Sequence, residues 1–294
     1  MIADWVAVDW GTSNLRAWAM DASGAVLATG ASGDGMAGLA CEDFEGALLA
    51  VIGGWLGPGV TPVVACGMVG ARQGWAEAPY AAVPCAPHGG AVQVETRDPR
   101  LAMHILPGLK QMAPPDVMRG EETQIAGFIA RHPGFAGALC LPGTHSKWVD
   151  VAEGAVGGFR TVMTGEMFAL LSKSSVLRHS VGAELGAGFE AAVAEALAAP
   201  AAVPAHLFAI RAADLLAGTA PGDARARLSG LLIGAELAAM AASWRGGSVA
   251  LVGAEGLTAL YARALTVAGV AATMADGTAC TLAGLTAAYR ERLA

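Results

Sequence analysis

One pattern occurs twice in this chain and constrains its fold more than any other feature: an apolar strand, a Gly-Thr turn and a second, alternating strand. The turns contain Gly11-Thr12 and Gly143-Thr144, which lie 132 residues apart in a chain of 294 residues. In both copies a tight turn leads from the second strand into a third. The repeat predicts two halves that each open with this three-stranded unit. Two such halves facing each other would enclose a cleft with one hairpin turn on each wall.

Both turns have the chemistry of an anion site. Glycine lets the backbone approach a ligand closely, and neighbouring N–H groups and hydroxyls can surround a phosphate. The candidate phosphate-binding residues are Gly11, Thr12, Ser13, Gly143 and Thr144. Asp9, which ends the strand before the first turn, can hold Mg²⁺ directly or through water. A single turn of this kind is more often a plain hairpin, so it is the repetition that favours a phosphate site.

Composition restricts the class of protein. The chain is 54% hydrophobic and only 15% charged, which indicates large buried cores, yet no run of about 18 apolar residues predicts a membrane span. A formal net charge of −7 argues against a nucleic-acid-binding surface. The five cysteines lack Cys-x-x-Cys spacing and the N-terminus lacks a basic start, which favours reduced thiols and no signal peptide. We therefore expect a cytoplasmic protein with neither a nucleic-acid nor a membrane partner.

A glycine-rich loop follows the predicted strand at residues 61–66. The carboxyl end of a strand is where open α/β folds bind ligands, and this loop has Arg72, Gln73 and Trp75. An arginine here can bind a carboxylate through two hydrogen bonds, so these three residues are candidate substrate contacts. A glycine-rich loop with a surface arginine explains the local sequence equally well.

Four carboxylates are candidate general bases. Glu121 and Glu122 lie in the first turn of a predicted helix at 121–131, where the helix dipole favours acidic residues without any catalytic role. Aimed into a cleft, either could accept the proton of a substrate hydroxyl. Asp116 precedes them in a Pro-rich turn, and Glu166 opens a predicted helix after the second hairpin.

The second half of the chain has further polar candidates. His145 and Lys147 follow the second turn and can meet a phosphate or a carboxylate. Gly253 and Gly256 lie in a strand-to-helix turn, which suits an adenosine contact but is also common in α/β folds. Small residues at 283–285 predict close packing of the last helix between the two halves.

Six blocks of sequence together resemble one family, the 2-dehydro-3-deoxygalactonokinases of the actin, hexokinase and Hsp70 superfamily. Each block alone is weakly specific, but their order and spacing fit the family from residue 4 to about 190. Two positions depart from it: Ser13 replaces a commoner threonine, and 253–256 lacks the tandem glycines of many relatives. The blocks are DWGTSNLR at 9–16, GMVGARQGW at 67–75, EAPY at 77–80, PDVMRGEETQ at 115–124, LPGTHSKW at 141–148 and MTGEMF at 163–168.

The resemblance implies an α/β fold of two ribonuclease-H-like lobes of the actin, hexokinase and Hsp70 type around an ATP-binding cleft. The lobes would span residues 1–135, with the substrate loop, and residues 136–294, with the nucleotide contacts. It further implies ATP-dependent phosphorylation of the 6-hydroxyl of 2-dehydro-3-deoxy-D-galactonate, a small sugar acid, in galactonate catabolism. ATP and Mg²⁺ would be the cofactors.

Within this scheme Asp9 would serve Mg²⁺, and Arg72 would bind the sugar-acid carboxylate with Arg16 or Lys147 assisting. Glu121 is the preferred base. Successive helical residues point about 100° apart, so only one of the two adjacent glutamates can face the cleft squarely. The Gly-Glu-Glu block at 120–122 also resembles the catalytic helix of the exopolyphosphatases, which share this fold.

Other functions stay open on the sequence alone. The enzyme could act on another keto-deoxy or aldonic acid, or hydrolyse polyphosphate with the same fold. A non-catalytic nucleotide-binding sensor or an actin-like filament belongs to a different class, and measured turnover with ATP separates these from an enzyme. The sequence does not fix the oligomeric state, and a homodimer is compatible with it.

Overall fold

A computed structural model of the chain describes residues 2–87 and 89–292. By its contacts the chain divides into two compact units. Unit 1 comprises Met1–Phe135, Ala152–Gly158 and Gly277–Ala294, and unit 2 comprises Ala136–Val151 and Phe159–Asp276.

The regular elements follow one another in a mixed α/β order. The strands are β1 (Trp5–Trp10), β2 (Leu15–Met20), β3 (Val26–Ser32), β4 (Thr61–Gly67), β5 (Ala81–Ala82), β6 (Val92–Val94), β7 (Leu101–Ile105), β8 (Leu109–Met112), β9 (Pro115–Met118), β10 (Gly137–Leu141), β11 (Ser146–Ala152), β12 (Ala155–Val162), β13 (Ser248–Gly253) and β14 (Ala272–Asp276). The helices are α1 (Phe44–Ile52), α2 (Glu121–Arg131), α3 (Thr164–Ser174), α4 (Phe189–Ala198), α5 (Val203–Ala217), α6 (Pro221–Ala239), α7 (Ala241–Trp244), α8 (Glu255–Val267) and α9 (Gly277–Arg292).

Unit 1 is built on a six-stranded sheet in the order β3-β2-β1-β4-β7-β6, beside a small sheet β5-β8-β9. The strands β1, β2 and β3 are antiparallel, whereas β4 runs parallel to β1 and β7 runs parallel to β4. Strand β1 is an almost unbroken apolar run because both faces of the sheet are covered. Val6, Val8 and Trp10 pack with α1 on one face, and Trp5 and Ala7 pack with α9 on the other.

Unit 2 repeats this architecture. Its five-stranded sheet has the order β12-β11-β10-β13-β14, with an antiparallel β10-β11 pair and with β13 and β14 parallel to β10. This order matches the first five strands of the unit 1 sheet, as the repeated hairpin predicts. Helices α4, α6 and α8 bury one face of the sheet in a core that includes Phe189, Leu237 and Leu265.

The structure differs from the predicted boundary of the second lobe, because α9 belongs to unit 1. Glycines let α9 and α2 cross with their backbones in contact. A Cβ atom built on Gly284 would lie 2.0 Å from the carbonyl oxygen of Thr123, and one built on Gly127 would lie 1.8 Å from that of Cys280. Tyr289 also stacks on Trp5 with ring centroids 4.4 Å apart. The small residues at 283–285 therefore serve a contact inside unit 1.

Helix α4 begins only at Phe189. Ala187 donates its backbone N–H to Asp223 Oδ1 at 2.7 Å, and Gly188 has a φ of 90°. This tertiary contact holds residues 182–188 as a loop against the start of α6, so the helix cannot begin earlier.

No single helix within residues 2–87 and 89–292 has the length and apolarity to cross a membrane, and only the segments Phe189–Ala198 and Pro200–Ala217, bent by 109°, meet that criterion as a pair.

Candidate functional site

Asp9 is the penultimate residue of β1 and lies opposite Arg16 on β2. Arg16 Nη2 donates a hydrogen bond to Asp9 Oδ2, and Arg16 Nη1 lies 3.4 Å from the hydroxyl of Thr278 at the start of α9. The hairpin register produces this ion pair, which fixes the orientation of the Asp9 carboxylate.

The first turn is braced by backbone hydrogen bonds. Gly11 donates its N–H to the Asn14 carbonyl at 2.9 Å, and the carbonyls of Gly11 and Thr12 accept the N–H groups of Met36 and Ala37 at 3.0 Å each. Thr12 and Ser13 are exposed and line a cavity of about 500 Å³ together with Asp9, Asn14 and Arg16. The turn is thus a fixed loop with hydroxyls at an open pocket.

The two glutamates that begin α2 have different environments. Glu122 is only 1% exposed, and it accepts hydrogen bonds from the Gly120 N–H at 2.6 Å and the Thr123 hydroxyl at 3.1 Å. Burial, and then the neighbouring charge of Glu121, raise the pKa of Glu122 to about 8. Glu121 is partly exposed and accepts the backbone N–H of Arg119 at 3.1 Å. Glu122 is therefore largely protonated at neutral pH, whereas Glu121 presents its carboxylate at the surface.

Two glycines bring the start of α2 beside Asp9. Gly67 has a φ of 95°, and a Cβ atom built on it would lie 2.7 Å from the Trp10 carbonyl and 3.5 Å from Asp9 Oδ1. Gly120 also has a positive φ, 102°, and its own Cβ would lie 3.4 Å from the Gly67 Cα. The pKa of the buried Cys66 thiol is raised by burial and then by the charges of Asp9 and Glu122. Asp9 and the glutamate pair thus belong to one site in unit 1.

Of the three candidate substrate contacts in the predicted substrate loop, one is packed on the core and two are exposed. Trp75 packs against Trp10 and Phe44, with ring centroids 6.2 and 6.3 Å away. Arg72 is 81% exposed, and its Nε lies 3.8 Å from Glu77 Oε1. Gln73 is exposed beside it. The indole holds the loop on the core and leaves the Arg72 guanidinium at the surface.

Asp116 and Arg119 lie on the segment that leads into α2. Asp116 Oδ1 accepts the N–H of Val117 at 2.8 Å. Arg119 stacks over the Tyr80 ring at 4.3 Å and donates to the Ala78 carbonyl at 2.7 Å. Arg119 therefore ties the start of α2 to the predicted substrate loop, at Ala78 and Tyr80. The sequence does not show this role, because the hydrogen-bond partner of Arg119 lies 41 residues earlier in the chain and no short motif connects the two.

The second turn, in unit 2, is joined to the start of α3. His145 Nε2 lies 2.6 Å from Glu166 Oε2, and the Glu166 N–H donates to the Thr144 carbonyl at 3.0 Å. A Cβ atom built on Gly165 would lie 2.3 Å from the Gly143 carbonyl oxygen. Thr144 and His145 are exposed, whereas Lys147 is 5% exposed on β11. The turn thus presents Thr144 and His145, and Lys147 lies within the sheet.

A mostly apolar cavity of about 310 Å³ adjoins this turn. Gly143, Gly165 and Thr164 form one side, and Phe168, Leu257 and Leu260 contribute apolar walls. Arg225, also in the lining, stacks over the Phe168 ring at 4.8 Å. The cavity could not be predicted from the sequence because its walls come from several elements far apart in the chain.

The predicted adenosine turn lies near the second hairpin. Gly253 has a φ of 159°, and a Cβ atom built on it would lie 3.6 Å from the Pro142 carbonyl. Gly256 is exposed, and a Cβ atom built on it would meet no atom within 4 Å among the described residues.

The paired α/β units define the class of protein. The activator of the 2-hydroxyisocaproyl-CoA dehydratase from Clostridium difficile, solved with bound ADPNP, superposes with a TM-score of 0.51 at 12% identity, covering 98% of this chain and 94% of that one. This likeness concerns the fold alone. It confirms the predicted fold class of the actin, hexokinase and Hsp70 type.

The sequence comparisons identify the family. The family described as 2-keto-3-deoxy-galactonokinase matches residues 9–288. The Probable 2-dehydro-3-deoxygalactonokinase of Rhizobium meliloti (strain 1021) is 43% identical over 97% of this chain and 96% of its own length. The 2-dehydro-3-deoxygalactonokinase of Escherichia coli (strain K12) is 36% identical over 97% of both chains.

A solved structure agrees with these relatives. The crystal structure of a candidate 2-dehydro-3-deoxygalactonokinase protein from Sinorhizobium meliloti has a TM-score of 0.91 at 42% identity, covering 98% of this chain and 99% of that one. The chain therefore belongs to the 2-keto-3-deoxy-galactonokinase family, and the resemblance seen in the six sequence blocks is confirmed.

Proposed function

We propose that this protein is an ATP-dependent kinase that phosphorylates the 6-hydroxyl of 2-dehydro-3-deoxy-D-galactonate in galactonate catabolism. The observation that carries the proposal is membership of the family over residues 9–288. The site in unit 1 supports it, because a carboxylate suited to a metal, a hydroxyl-bearing turn and a second, exposed carboxylate lie together there. The reaction would take place in the cytoplasm with ATP and a sugar acid as the only partners it needs.

The phosphates of ATP are assigned to the two turns. Thr12 and Ser13 offer hydroxyls at the open cavity of unit 1, and Thr144 offers a hydroxyl on an exposed turn in unit 2. Phosphoryl transfer depends mainly on positioning and on neutralising charge, so fixed turns of this kind are what the chemistry requires.

The nucleoside is assigned to the apolar cavity of unit 2. Its volume of about 310 Å³ is at the lower end of the range for small-molecule sites. It begins at Gly143, so a nucleoside inside it would place its phosphates at the second turn. Gly253 and Gly256 are assigned to the rim near Pro142, where glycine allows close approach of a ligand.

The residues at the end of β1 fit Mg²⁺. Asp9, Thr12, Ser13 and Asn14 line one cavity, and their side chains carry the hard oxygen donors that suit this ion. Within residues 2–87 and 89–292, no group of three His, Cys, Asp or Glu side chains could hold a metal alone. Mg²⁺ commonly combines one or two carboxylates with phosphate oxygens and water. Bound Mg²⁺ would offset phosphate charge, and Arg16 holds Asp9 in place for it.

Glu121 is assigned as the general base. The proton of the 6-hydroxyl must leave as the new P–O bond forms, and an ionised carboxylate within hydrogen-bond reach accepts it. Glu122 is less suited because it is buried and its raised pKa keeps it protonated. Asp116 caps the backbone of its own strand.

The carboxylate of the sugar acid is assigned to Arg72. Its guanidinium is exposed and only loosely paired with Glu77, so binding an anion costs it no strong existing bond. Gln73 lies beside it, and Trp75 keeps the loop on the core. Arg16, His145 and Glu166 are assigned to secondary polar contacts. Lys147, in β11, is assigned a supporting positive charge for the carboxylate of the sugar acid.

The test is phosphate transfer from ATP to a panel of acids by the purified protein. The panel contains 2-dehydro-3-deoxy-D-galactonate, its gluconate-derived epimer and an aldonic acid; polyphosphate is offered separately without ATP, and its hydrolysis is followed as release of phosphate. We expect ADP release only with keto-deoxy acids, with the highest kcat/KM for the galactonate derivative. Turnover with polyphosphate alone, or higher kcat/KM with another acid, would replace the proposed substrate. ATP binding without turnover would indicate a nucleotide-binding sensor.

A charge-matched pair of variants tests the site within the same assay. Asp9→Asn should lower kcat at least about 10²-fold, which corresponds to about 3 kcal/mol of transition-state stabilisation. Asp21→Asn makes the same change in a surface turn of unit 1 and should leave kcat unchanged. Full turnover of Asp9→Asn would show that the metal is held elsewhere.

A further inference from the structure

A buried carboxyl on α6 collects hydrogen bonds from distant parts of unit 2. Glu236 is 2% exposed. Its Oε1 accepts the Trp148 indole N–H and its Oε2 accepts the Tyr261 hydroxyl, both at 2.7 Å. The side chain of Thr164 also hydrogen-bonds this carboxyl, and the Ser146 hydroxyl lies within hydrogen-bond reach of it; both oppose the rise in its pKa that burial causes. Donors from Trp148, Tyr261 and Thr164 thus converge on one group inside the core.

This network reaches the second turn from one side through Ser146. The Ser146 and Tyr261 hydroxyls lie 2.9 Å apart. Because the Tyr261 hydroxyl donates to Glu236, its oxygen can accept from Ser146, whose own oxygen accepts the Gly143 N–H at 3.4 Å. The chain of donors therefore runs from the turn to the carboxyl.

The network reaches the turn from the other side through Thr164, the first residue of α3. The next residue, Gly165, lies against the Gly143 carbonyl, and the Glu166 N–H donates to the Thr144 carbonyl at 3.0 Å. In a planar trans peptide the C=O and the following N–H point in opposite directions. A fixed Gly143 carbonyl therefore fixes the direction of the Thr144 N–H.

A buried carboxyl is a poor means of stabilising a core. Burying an ionisable group is costly, and well-packed apolar residues in its place are often as stable or more so. A buried polar network that is fully satisfied does, however, hold its members in one arrangement. Here that arrangement includes both supports of an exposed Gly-Thr turn.

We propose that Glu236 is a positioning residue that holds residues 142–146 in the geometry that binds a phosphate of ATP. The inference rests on the proposed kinase function. Glu236 itself touches no substrate in this scheme: it acts through Ser146 and Thr164. Tyr261, which also lines the apolar cavity, links the carboxyl to Ser146.

Three variants separate positioning from plain core stability. Glu236→Gln puts an amide N–H₂ where donors already converge, so it breaks the arrangement without changing size. Tyr261→Phe removes only the hydroxyl that connects Glu236 to Ser146. Trp148→Phe is the control. It removes another donor to Glu236, but this donor is connected to neither Ser146 nor Thr164, the two residues that support the turn.

The measurements are the Kd for ATP by titration calorimetry without sugar acid, the KM for the sugar acid, and Tm. We expect Glu236→Gln to weaken ATP binding about tenfold and Tyr261→Phe about threefold to tenfold, the usual effect of losing a buried hydrogen bond. The KM for the sugar acid should stay within about twofold. Trp148→Phe should lower Tm while leaving the Kd for ATP near that of wild type.

Two results would overturn the inference. One is that all three variants lower Tm but keep the wild-type Kd for ATP. The other is that the Kd for ATP and the KM for the sugar acid rise together in Tyr261→Phe. If Glu236→Gln does not fold, Tyr261→Phe decides between these results. A wild-type protein that binds no ATP would contradict the proposed function and this inference together.

Discussion

Glu122→Gln should remove a large pH dependence from the stability of unit 1. Glu122 is buried at the start of α2, and burial followed by the charge of Glu121 raises its pKa from the ordinary 4.5 to about 8. A glutamine has the shape of the protonated glutamic acid and cannot ionise. It can still accept the Gly120 N–H through its carbonyl oxygen, as Glu122 Oε2 does at 2.6 Å.

The size of the effect follows from the raised pKa. The folded state binds this proton more tightly than the unfolded chain does, so the stability from this group is complete below pH 4.5 and is lost as the pH rises through about 8. At about 1.4 kcal/mol per pH unit, the full loss is about 5 kcal/mol, of which about 4 kcal/mol falls between pH 5 and pH 9. This is a large part of the stability of an ordinary domain.

The assay is urea denaturation of wild type and variant at intervals between pH 5 and pH 9. The free energy of unfolding of Glu122→Gln, relative to wild type, should rise by about 4 kcal/mol over this range. Glu45→Gln is the control. Burial raises the Glu45 pKa, but hydrogen bonds from the N–H groups of Arg97 and Asp98 outweigh burial and lower it overall. Its contribution is therefore complete by pH 5, and its difference from wild type should stay constant.

Parallel curves for wild type and Glu122→Gln would refute the reasoning. They would mean that Glu122 ionises in the folded protein without cost, and the case against Glu122 as the base would be lost with it. The same pair of proteins should show similar kcat at pH 7, because Glu122 is already uncharged there.

Three further predictions concern the neighbouring residues. Glu121→Gln should lower kcat at least about 10²-fold while ATP and sugar-acid binding, measured separately, stay near wild type; near-full kcat would pass the role to Asp116 or Glu122. Arg72→Ala should raise the KM for the sugar acid about tenfold or more and leave the KM for ATP unchanged, since a charged hydrogen bond is lost from one substrate only. A rise in the KM for ATP alone would show that Arg72 belongs to the nucleotide site. Gly284→Ala should lower Tm by several degrees, because the added Cβ would lie 2.0 Å from the Thr123 carbonyl; an unchanged Tm would show that α2 and α9 separate at little cost.

The sequence predicts the fold well because the fold follows from local patterns. The apolar run at residues 5–8, the Gly-Thr turn after it and the alternating strand that follows determine a hairpin by themselves, and their repetition after residue 136 predicts the second unit. Prediction from the sequence fails for contacts between residues that are far apart in the chain. Helix α9 joins unit 1 because Gly127 of α2 and Gly284 of α9 let the backbones of the two helices touch. No local pattern in the sequence shows that contact.

The candidate site shows the same limit. Sequence spacing finds Asp9, Gly11 and the glutamate pair, but it does not show that Gly67 and Gly120 lie between them with positive φ. The choice between Glu121 and Glu122 rests on burial, which differs sharply for adjacent residues of one helix. Sequence spacing does not reveal the roles of Arg119 and Glu236, since each acts through partners from other elements.

The two copies of the hairpin have diverged in the way their turns are supported. Aligning Gly11 with Gly143 places Asp9 opposite Leu141 and Arg16 opposite Trp148. Where unit 1 has the ion pair of Asp9 with Arg16, unit 2 has an apolar residue and an indole that donates to the buried Glu236. The second turn is therefore a proposed phosphate site that has no carboxylate at the position of the proposed metal ligand. A single metal ion needs a carboxylate at only one turn, so this asymmetry is what we expect if the first turn serves phosphate and Mg²⁺ and the second serves phosphate alone.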